Sequence, residues 1–477
     1  MAYERLVQGA KMKELSVVVL AAGEGKRMRS GCPKVLHPIC GRPMLSYILD
    51  SVSTLTDRVT IVVGHEATRV KETMGPGWEY VFQADQLGTG HAVMQALPGL
   101  PASGQLLVLC GDTPLLETRH LREMLRQHPP GGATVMTARV PDPYGYGRII
   151  RSSRGQVEAI VEEGEATVEQ RAITEVNTGA YCFDLKLLAR YLPMLEEKNI
   201  QREYYLTDLI SLFNNDGHPV QAYRLADYRV GLGVNDRQQL AEAAVIWRER
   251  INRGLMIKGV TLIDPETTYI DYGVEIGPET EIWPQTIIEA PCTIGDRCRL
   301  GPSTHLKGAV LEEGVTIRNS VVEDSRIGAQ AMVGPFAYIR PGCQLGSRVK
   351  VGTFVEVKGS NIEEGTKIPH LSYVGDADIG EGVNIGAGVI VVNYDGRRKH
   401  RCRIEPGAFV GCNSNLISPL TIGEGAFVAA GSTINRDVPA GSLALARTEQ
   451  KSFPGRASKL IGRKGSPGKD KSHHPDV

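Results

Sequence analysis

The sequence has no run of 18 apolar residues, the length a helix needs to cross a hydrocarbon core, so no membrane span is expected. It shows no secretory leader: charges are scattered through MAYERLVQGAKMKEL and no apolar core follows them. Charge of one sign is not in excess. The 54 Lys and Arg balance 54 Asp and Glu, so the whole chain carries no general footprint for nucleic acid or a membrane surface. The nine cysteines are odd in number and form no CxxC pair, which argues for a reducing, cytoplasmic setting without a cysteine metal site. What the chain does have is length and glycine. At 477 residues it is too long for one hydrophobic core, so two or three domains are expected.

Much of the glycine falls in the second half, where apolar residues recur every six positions. Ile276, Ile282, Ile288, Ile294, Leu300 and Leu306 keep one phase. The phase slips by three, and Val315, Val321, Ile327, Val333, Ile339, Leu345, Val351 and Val357 keep the next; Ile404 to Ile434 run in step again. Cys292 and Cys298 share the spacing and read as repeat-strand residues. Six is a multiple of the strand period and not of the helical one. Short strands joined by turns that glycine permits would wind into a triangular coil, three hexapeptides per turn, each inward residue stacking on its counterpart one coil away. The repeat resembles the hexapeptide-repeat left-handed parallel β-helix.

The first half reads differently. Leu15–Leu20 is a continuous apolar, β-branched run, as in a strand buried on both faces of a parallel sheet. Arg58–Val63, Leu106–Leu109, Ala133–Thr137 and Gly179–Phe183 are further strand candidates, with helical patterns at Met44–Leu55 and Thr118–Gln127. The alternation implies a doubly wound, Rossmann-like α/β domain over residues 15–235. Leu240, Ala244, Trp247, Ile251 and Leu255 then fall on one face of a linker helix, residues 236–256, capped by Asn235 or Asp236. The repeat domain would run over 257–453, between a leader of 1–14 and a basic tail of 454–477 expected to be disordered.

The turn after the first strand, Gly23-Glu-Gly25, suits a phosphate cradle. No Gly-Lys-Ser/Thr follows, so it is not a Walker loop, and Met28 stands where a dinucleotide fingerprint needs its third glycine. Its company is more specific. LAAGEGKRM, Pro33-Lys34-Val35-Leu36, Gln83 with Gly88-Thr89-Gly90-His91-Ala92, Leu109-Cys110-Gly111-Asp112, Gly145-Tyr146-Gly147-Arg148, Ile160-Val161-Glu162, Glu175-Val176-Asn177 and Gly233-Val234-Asn235 occur in order. As a set they resemble the sugar-phosphate nucleotidyltransferases. The resemblance implies Mg²⁺ on Asp112 and Asn235, with catalytic Arg27 and Lys34 on the phosphates. It places Leu20, Ala21, Ala22, Gly23, Gln83, Gly88 and Thr89 around the nucleotide, and Gly147, Glu162 and Asn177 around the sugar. Cys110 departs from the pattern, standing where some relatives have Tyr.

The repeat is interrupted where it carries polar residues. The steps from Val357 to Ile362 and from Val374 to Ile379 are five, and thirteen residues separate Val391 from Ile404. Arg340, Lys358, His370-Leu-Ser-Tyr373, Asn384, Ala387 and Asn393-Tyr394 lie at or near these breaks. Both motif sets together resemble the bacterial bifunctional enzymes that join a uridyltransferase to an acetyltransferase, over roughly residues 15–450. The resemblance implies that His370 accepts the proton of an attacking amine, work suited to imidazole. Arg340, Lys358, Tyr373 and Asn384 would hold glucosamine 1-phosphate. Ala387, Asn393, Tyr394, Cys412, Ala430 and Arg447 would line acetyl-CoA, with Cys412 where relatives often carry Ser. The product would go on with UTP, as N-acetylglucosamine 1-phosphate, to UDP-N-acetylglucosamine, in a homotrimer. His91 and His305 read as structural, and the basic run Arg397–Arg401 as either a solvated loop or an attractor of CoA phosphates.

Two other readings use the same folds. A monofunctional nucleotidyltransferase with an oligomerising β-helix would lack His370, Lys358 and the Asn393-Tyr394 loop, and a non-enzymatic regulatory subunit would lose Asp112, Lys34 or the Gly23 turn. All are present.

Overall fold

The computed structural model describes residues 11–460; the first ten residues of the expected leader and the tail beyond Leu460 lie outside them. The chain divides into two compact units, Met1–Gly308 and Ala309–Val477.

The first unit is built on a mixed sheet. Leu15–Ala21 is central, parallel to Val59–Val63 on one side and to Gln105–Cys110 on the other. Glu79–Phe82 extends the sheet beyond Val59–Val63. Buried clusters cover both faces, with Val17 and Val19 in one and Val18 in the other, which is why the strand is apolar without alternation. The strand expected at Gly179–Phe183 is longer, Glu175–Asp184, and runs antiparallel to both Gln105–Cys110 and Ala133–Arg139. Its register shifts between Asn177 and Tyr181, at Gly179 with φ 78°. The chain visits Val59–Val63 on one side of the central strand and later Gln105–Cys110 on the other. The carboxyl ends of these strands therefore flank a topological switch point, where α/β sheets open a crevice for ligands.

The expected linker helix is Arg237–Ile257, capped by Asp236, whose carboxylate accepts from Gln239 N at 2.9 Å. Leu240, Ala244 and Trp247 pack against a cluster containing Ile39, Met44, Tyr47 and Leu115. Trp247 Nε1 also donates to Pro114 O at 3.1 Å, two residues beyond Asp112. Farther along, Asn252 Nδ2 donates to Pro265 O and Thr268 O at 2.8 and 3.1 Å, tying the helix to the first coil. The coils of this unit are regular: Ile282 pairs with Leu300 and Ile288 with Leu306, one coil being 18 residues.

The second unit continues as stacked coils of short parallel strands, and its ladders show where the repeat shortens. Leu311 pairs with Ile327 and Ile317 with Val333, 16 residues apart; Val351 pairs with Ile368 and Val357 with Val374, 17 apart. The structure corrects the repeat phase at one point. Val322, and not Val321, is the inward residue, and Leu311 and Ile317 are inward as well. The apparent slip of three is thus three separate five-residue steps, from Leu306 to Leu311, Ile317 to Val322 and Val322 to Ile327.

Of the glycines that follow inward residues, Gly301 and Gly334 are left-handed as a turn glycine would be, at φ 98° and 102°, but others are not. Gly328, Gly346, Gly386 and Gly411 do not have left-handed φ values. A Cβ on Gly328 would sit 2.6 Å from the Gly346 carbonyl carbon, and one on Gly411 2.5 Å from Ala430 N. Glycine is used there because the next coil's backbone occupies the side-chain position. The left-handed corners are shared between glycines such as Gly314 and Gly342 and the non-glycine residues Gln330, Arg348, Phe354 and Leu371. Gly328→Val should cost about 1–3 kcal/mol by overpacking and lower the Tm of the repeat in calorimetry, whereas Gln330→Gly, at φ 59°, should leave it nearly unchanged. Equal effects would contradict this account of the repeat.

Candidate active sites

In the first unit the switch point gathers residues far apart in sequence. Lys34 Nζ contacts the Asp112 carboxylate and donates to Asn235 Oδ1 at 2.9 Å. Main-chain bonds fix these elements: Gly111 N donates to Leu20 O at 2.9 Å, and Val234 N to Asp112 O at 2.8 Å. Gly23, Arg27, Lys34 and Asn235 line one cleft of about 400 Å³, together with Gln86 and Glu203, which sequence reasoning did not single out. Arg27 is exposed there, so its guanidinium is available to a ligand. Ala21 and Ala22 are buried at the strand end that floors the site.

Two further groups stand around it. Gln83 Nε2 donates to Gly88 O at 3.2 Å, and Thr89 Oγ1 accepts from Leu206 N at 3.1 Å. On the sugar side of the expected site, Asn177 N donates to Gly147 O at 2.8 Å, and a Cβ on Gly147 would meet Glu162 Oε2 at 3.3 Å. Burial raises the pKa of Glu162, with Thr207 opposing the shift through a hydrogen bond. Cys110 directs Sγ toward Gly179 O at 3.5 Å, and burial, reinforced by the Asp112 charge, pushes its pKa up to about 12. His91 is bonded to Gln83 and Asp85 O, and His305 to Glu289, which accords with structural roles.

In the second unit the expected residues fall on two corners of the coil. On one, Arg340 Nη1 bonds Glu356 Oε1 at 2.9 Å, and Lys358 Nζ bonds Asp376 at 3.3 and 3.4 Å. Asn393 Nδ2 bonds the same Asp376 carboxylate at 2.6 Å and Tyr373 OH at 3.4 Å. Asp376 is therefore the hub, and its place inside the five-residue step from Val374 to Ile379 is the signal that could find it. The Lys399 ammonium, from the inserted loop, stands beside that of Lys358, and this contact with a like charge lowers its pKa. Asp395 shapes this loop by accepting from Arg397 N and Arg398 N at 2.7 and 2.6 Å, and Tyr394 is exposed at its start.

On the other corner, His370 ends the strand Lys367–His370 and is exposed. Its carbonyl accepts from Ser372 Oγ at 2.7 Å and Gly388 N at 3.4 Å. The column continues through Ala387, whose carbonyl accepts from Asn413 N at 2.8 Å, to exposed Cys412, whose carbonyl accepts from Gly431 N at 2.8 Å. Arg447 Nη1 donates to Ala430 O at 2.7 Å. Asn384 pairs with Lys367 on the strand that carries His370. Among the described residues, no side-chain hydrogen bond joins the His370 corner to the Lys358 corner.

A crevice on an α/β sheet lined by a glycine turn, Arg27, Lys34 and Asn235, joined in one chain to a hexapeptide coil with its own polar corners, defines a nucleotidyltransferase coupled to a hexapeptide-type transferase. Family models agree: the MobA-like NTP transferase domain matches residues 17–224, the bacterial transferase hexapeptide repeat 273–308 and 324–359, and the hexapeptide repeat of succinyl-transferase 401–436. The coil is accordingly the left-handed parallel β-helix of that repeat. The curated relative "Bifunctional protein GlmU" of Shouchella clausii is 48% identical over 91% of this chain and 96% of its own length. Its namesakes in Brevibacillus brevis and Geobacillus thermodenitrificans are 47% and 49% identical over 95% and 94% of this chain, and 99% of each relative. The chain belongs to the GlmU family and is a bifunctional transferase.

Proposed function

We propose that the chain makes UDP-N-acetylglucosamine in two steps. The β-helix transfers acetyl from acetyl-CoA to glucosamine 1-phosphate, and the sheet domain couples the resulting N-acetylglucosamine 1-phosphate to UTP with release of pyrophosphate. The observation that carries the reading is the convergence of Lys34, Asp112 and Asn235 on one point beside the Gly23–Arg27 turn, in a chain whose second unit also carries the His370 and Lys358 corners.

For uridylyl transfer, a phosphate oxygen of the sugar attacks the α-phosphorus of UTP and the bond to pyrophosphate breaks. Arg27 and Lys34 bind and orient the phosphates and spread the charge that develops between them. A hard cation fits beside them: the Asp112 carboxylate and Asn235 Oδ1 already converge on one cationic atom, the Lys34 ammonium. Among the described residues no group of three His, Cys, Asp or Glu side chains could hold a metal, and Mg²⁺ commonly takes only one or two protein carboxylates plus phosphate oxygens. When bound on Asp112 and Asn235, Mg²⁺ would neutralise charge on the phosphates.

For acetyl transfer, His370 takes a proton from the amine, the amine nitrogen attacks the thioester carbonyl, and the C–S bond breaks to release CoA thiol. Lys358 and Lys399, two neighbouring cations with Arg340 nearby, suit the sugar's phosphate. A homotrimer is part of the reading, with acetyl sites completed between chains. It is supported by an exposed column beside His370, where Phe336 stacks on Phe354 at 5.5 Å and Leu371 is 61% exposed. A cytoplasmic location accords with the free thiols and with the finding that, among the described residues, no helix is long and apolar enough to cross a membrane. The domain limits of 15–235 and 257–453 are proposed as the functional ones.

Supplying acetyl-CoA with glucosamine 1-phosphate should release free thiol, and supplying UTP, N-acetylglucosamine 1-phosphate and Mg²⁺ should release pyrophosphate. Pyrophosphate without thiol would instead support a monofunctional nucleotidyltransferase.

A further inference from the structure

Residues 203–207 form a strap across the first site. Glu203 lines the phosphate cleft. Tyr204 N donates to Leu87 O, and Gly90 N donates to Tyr204 O, both at 2.8 Å. The approach is close enough that a Cβ on Gly88, φ 100°, would lie 2.7 Å from Tyr204 O. Leu206 N donates to Thr89 Oγ1 at 3.1 Å, so the strap is fastened along the whole turn expected to face the nucleotide.

The strap ends at Thr207, which is 4% exposed and precedes the helix Asp208–Asn215 as its N-cap residue. Its backbone is already helical, φ −61° and ψ −27°, so its hydroxyl is not placed to cap the helix. The hydroxyl donates to Glu162 Oε1 at 3.2 Å. A buried hydroxyl aimed at a carboxylate of the expected site points to a role there. We propose that Thr207 is a positioning residue for sugar-phosphate binding: its hydroxyl holds Glu162 as an oriented, ionised acceptor for a sugar hydroxyl. The proposal rests on Glu162 being a sugar ligand.

Glu162 needs such a donor. Asp208, Glu165 and Glu203 face it with like charge, and the phenols of Tyr181 and Tyr205 stand nearby. Burial and these charges favour the protonated carboxyl; the Thr207 hydrogen bond favours the carboxylate. Asp208, beside it, is itself pushed up to about 6 by burial and Glu165. Losing the donor raises the Glu162 pKa further, so the carboxylate form survives only at higher pH.

The test uses the full chain with Thr207→Val, Thr207→Ser and Glu162→Gln, assayed with UTP and N-acetylglucosamine 1-phosphate, with acetyl transfer as the control for folding. Thr207→Val should raise KM for the sugar phosphate about tenfold, as for loss of a hydrogen bond to a charged group. KM for UTP should stay unchanged, and the acid limb of the kcat/KM profile should move to higher pH. Thr207→Ser should restore all three values. Glu162→Gln with raised sugar KM but normal values in Thr207→Val would overturn the role of Thr207. So would a serine variant as impaired as the valine variant, which would mark a packing role. Glu162→Gln with unchanged sugar KM would remove the assignment of Glu162 itself, and the proposal with it.

Discussion

His370→Ala is expected to lower acetyl transfer by about 10²–10⁴-fold, the usual contribution of a positioned general base, and to leave uridylyl transfer intact. His370 is exposed, and the hydrogen bonds at its position run to its carbonyl, from Ser372 and Gly388. Truncating the imidazole therefore removes a proton acceptor without opening a cavity or breaking a ladder bond. Free-thiol release at saturating acetyl-CoA reads the loss, and the Tm should remain that of the parent. A loss of less than tenfold would mean that another group takes the proton.

Asp112→Asn is expected to do the reverse, lowering pyrophosphate release by about 10³-fold, roughly 4 kcal/mol of charge stabilisation. Asparagine keeps the shape, and the Asp112 carbonyl still accepts from Val234 N, so the loop stays in place. What changes is charge. The Lys34 ammonium loses its carboxylate partner, and the proposed cation would lose the carboxylate assigned to it. Acetyl transfer should be unaffected. Pyrophosphate release at saturating UTP, followed as Mg²⁺ is raised, measures the effect; turnover within tenfold of the parent would place the cation elsewhere.

The parts of both sites that were legible in the sequence are those whose residue types occur in ordered motifs. Lys34, Asp112 and Asn235 are separated by up to 201 positions yet meet at one point, and the strand Gln105–Cys110 that leads to Asp112 is visible as an apolar run closing on Gly-Asp. Glu203 and Thr207 were not legible, because their contacts arise only on folding and neither sits at a spacing that sets it apart. Asp376 does sit at such a spacing, inside the five-residue step from Val374 to Ile379, but its partners Lys358 and Asn393 come together only on folding. The repeat was readable in period but not in register at Val321-Val322, because two adjacent valines satisfy the same pattern while only Val322 is buried. The glycines were read as turn formers because composition does not distinguish a left-handed backbone from a crowded one; at Gly328 and Gly411 crowding by the next coil is the reason.

The proposal that two sites on one chain work independently can be tested in a single vessel. Each single-site variant, His370→Ala or Asp112→Asn, is given glucosamine 1-phosphate, acetyl-CoA, UTP and Mg²⁺, and UDP-N-acetylglucosamine is measured. Each alone should make almost none, and the two mixed should restore the flux to near half that of the same total amount of parent protein. Folded variants that each lose both partial reactions, and a mixture that stays inactive, would contradict the account.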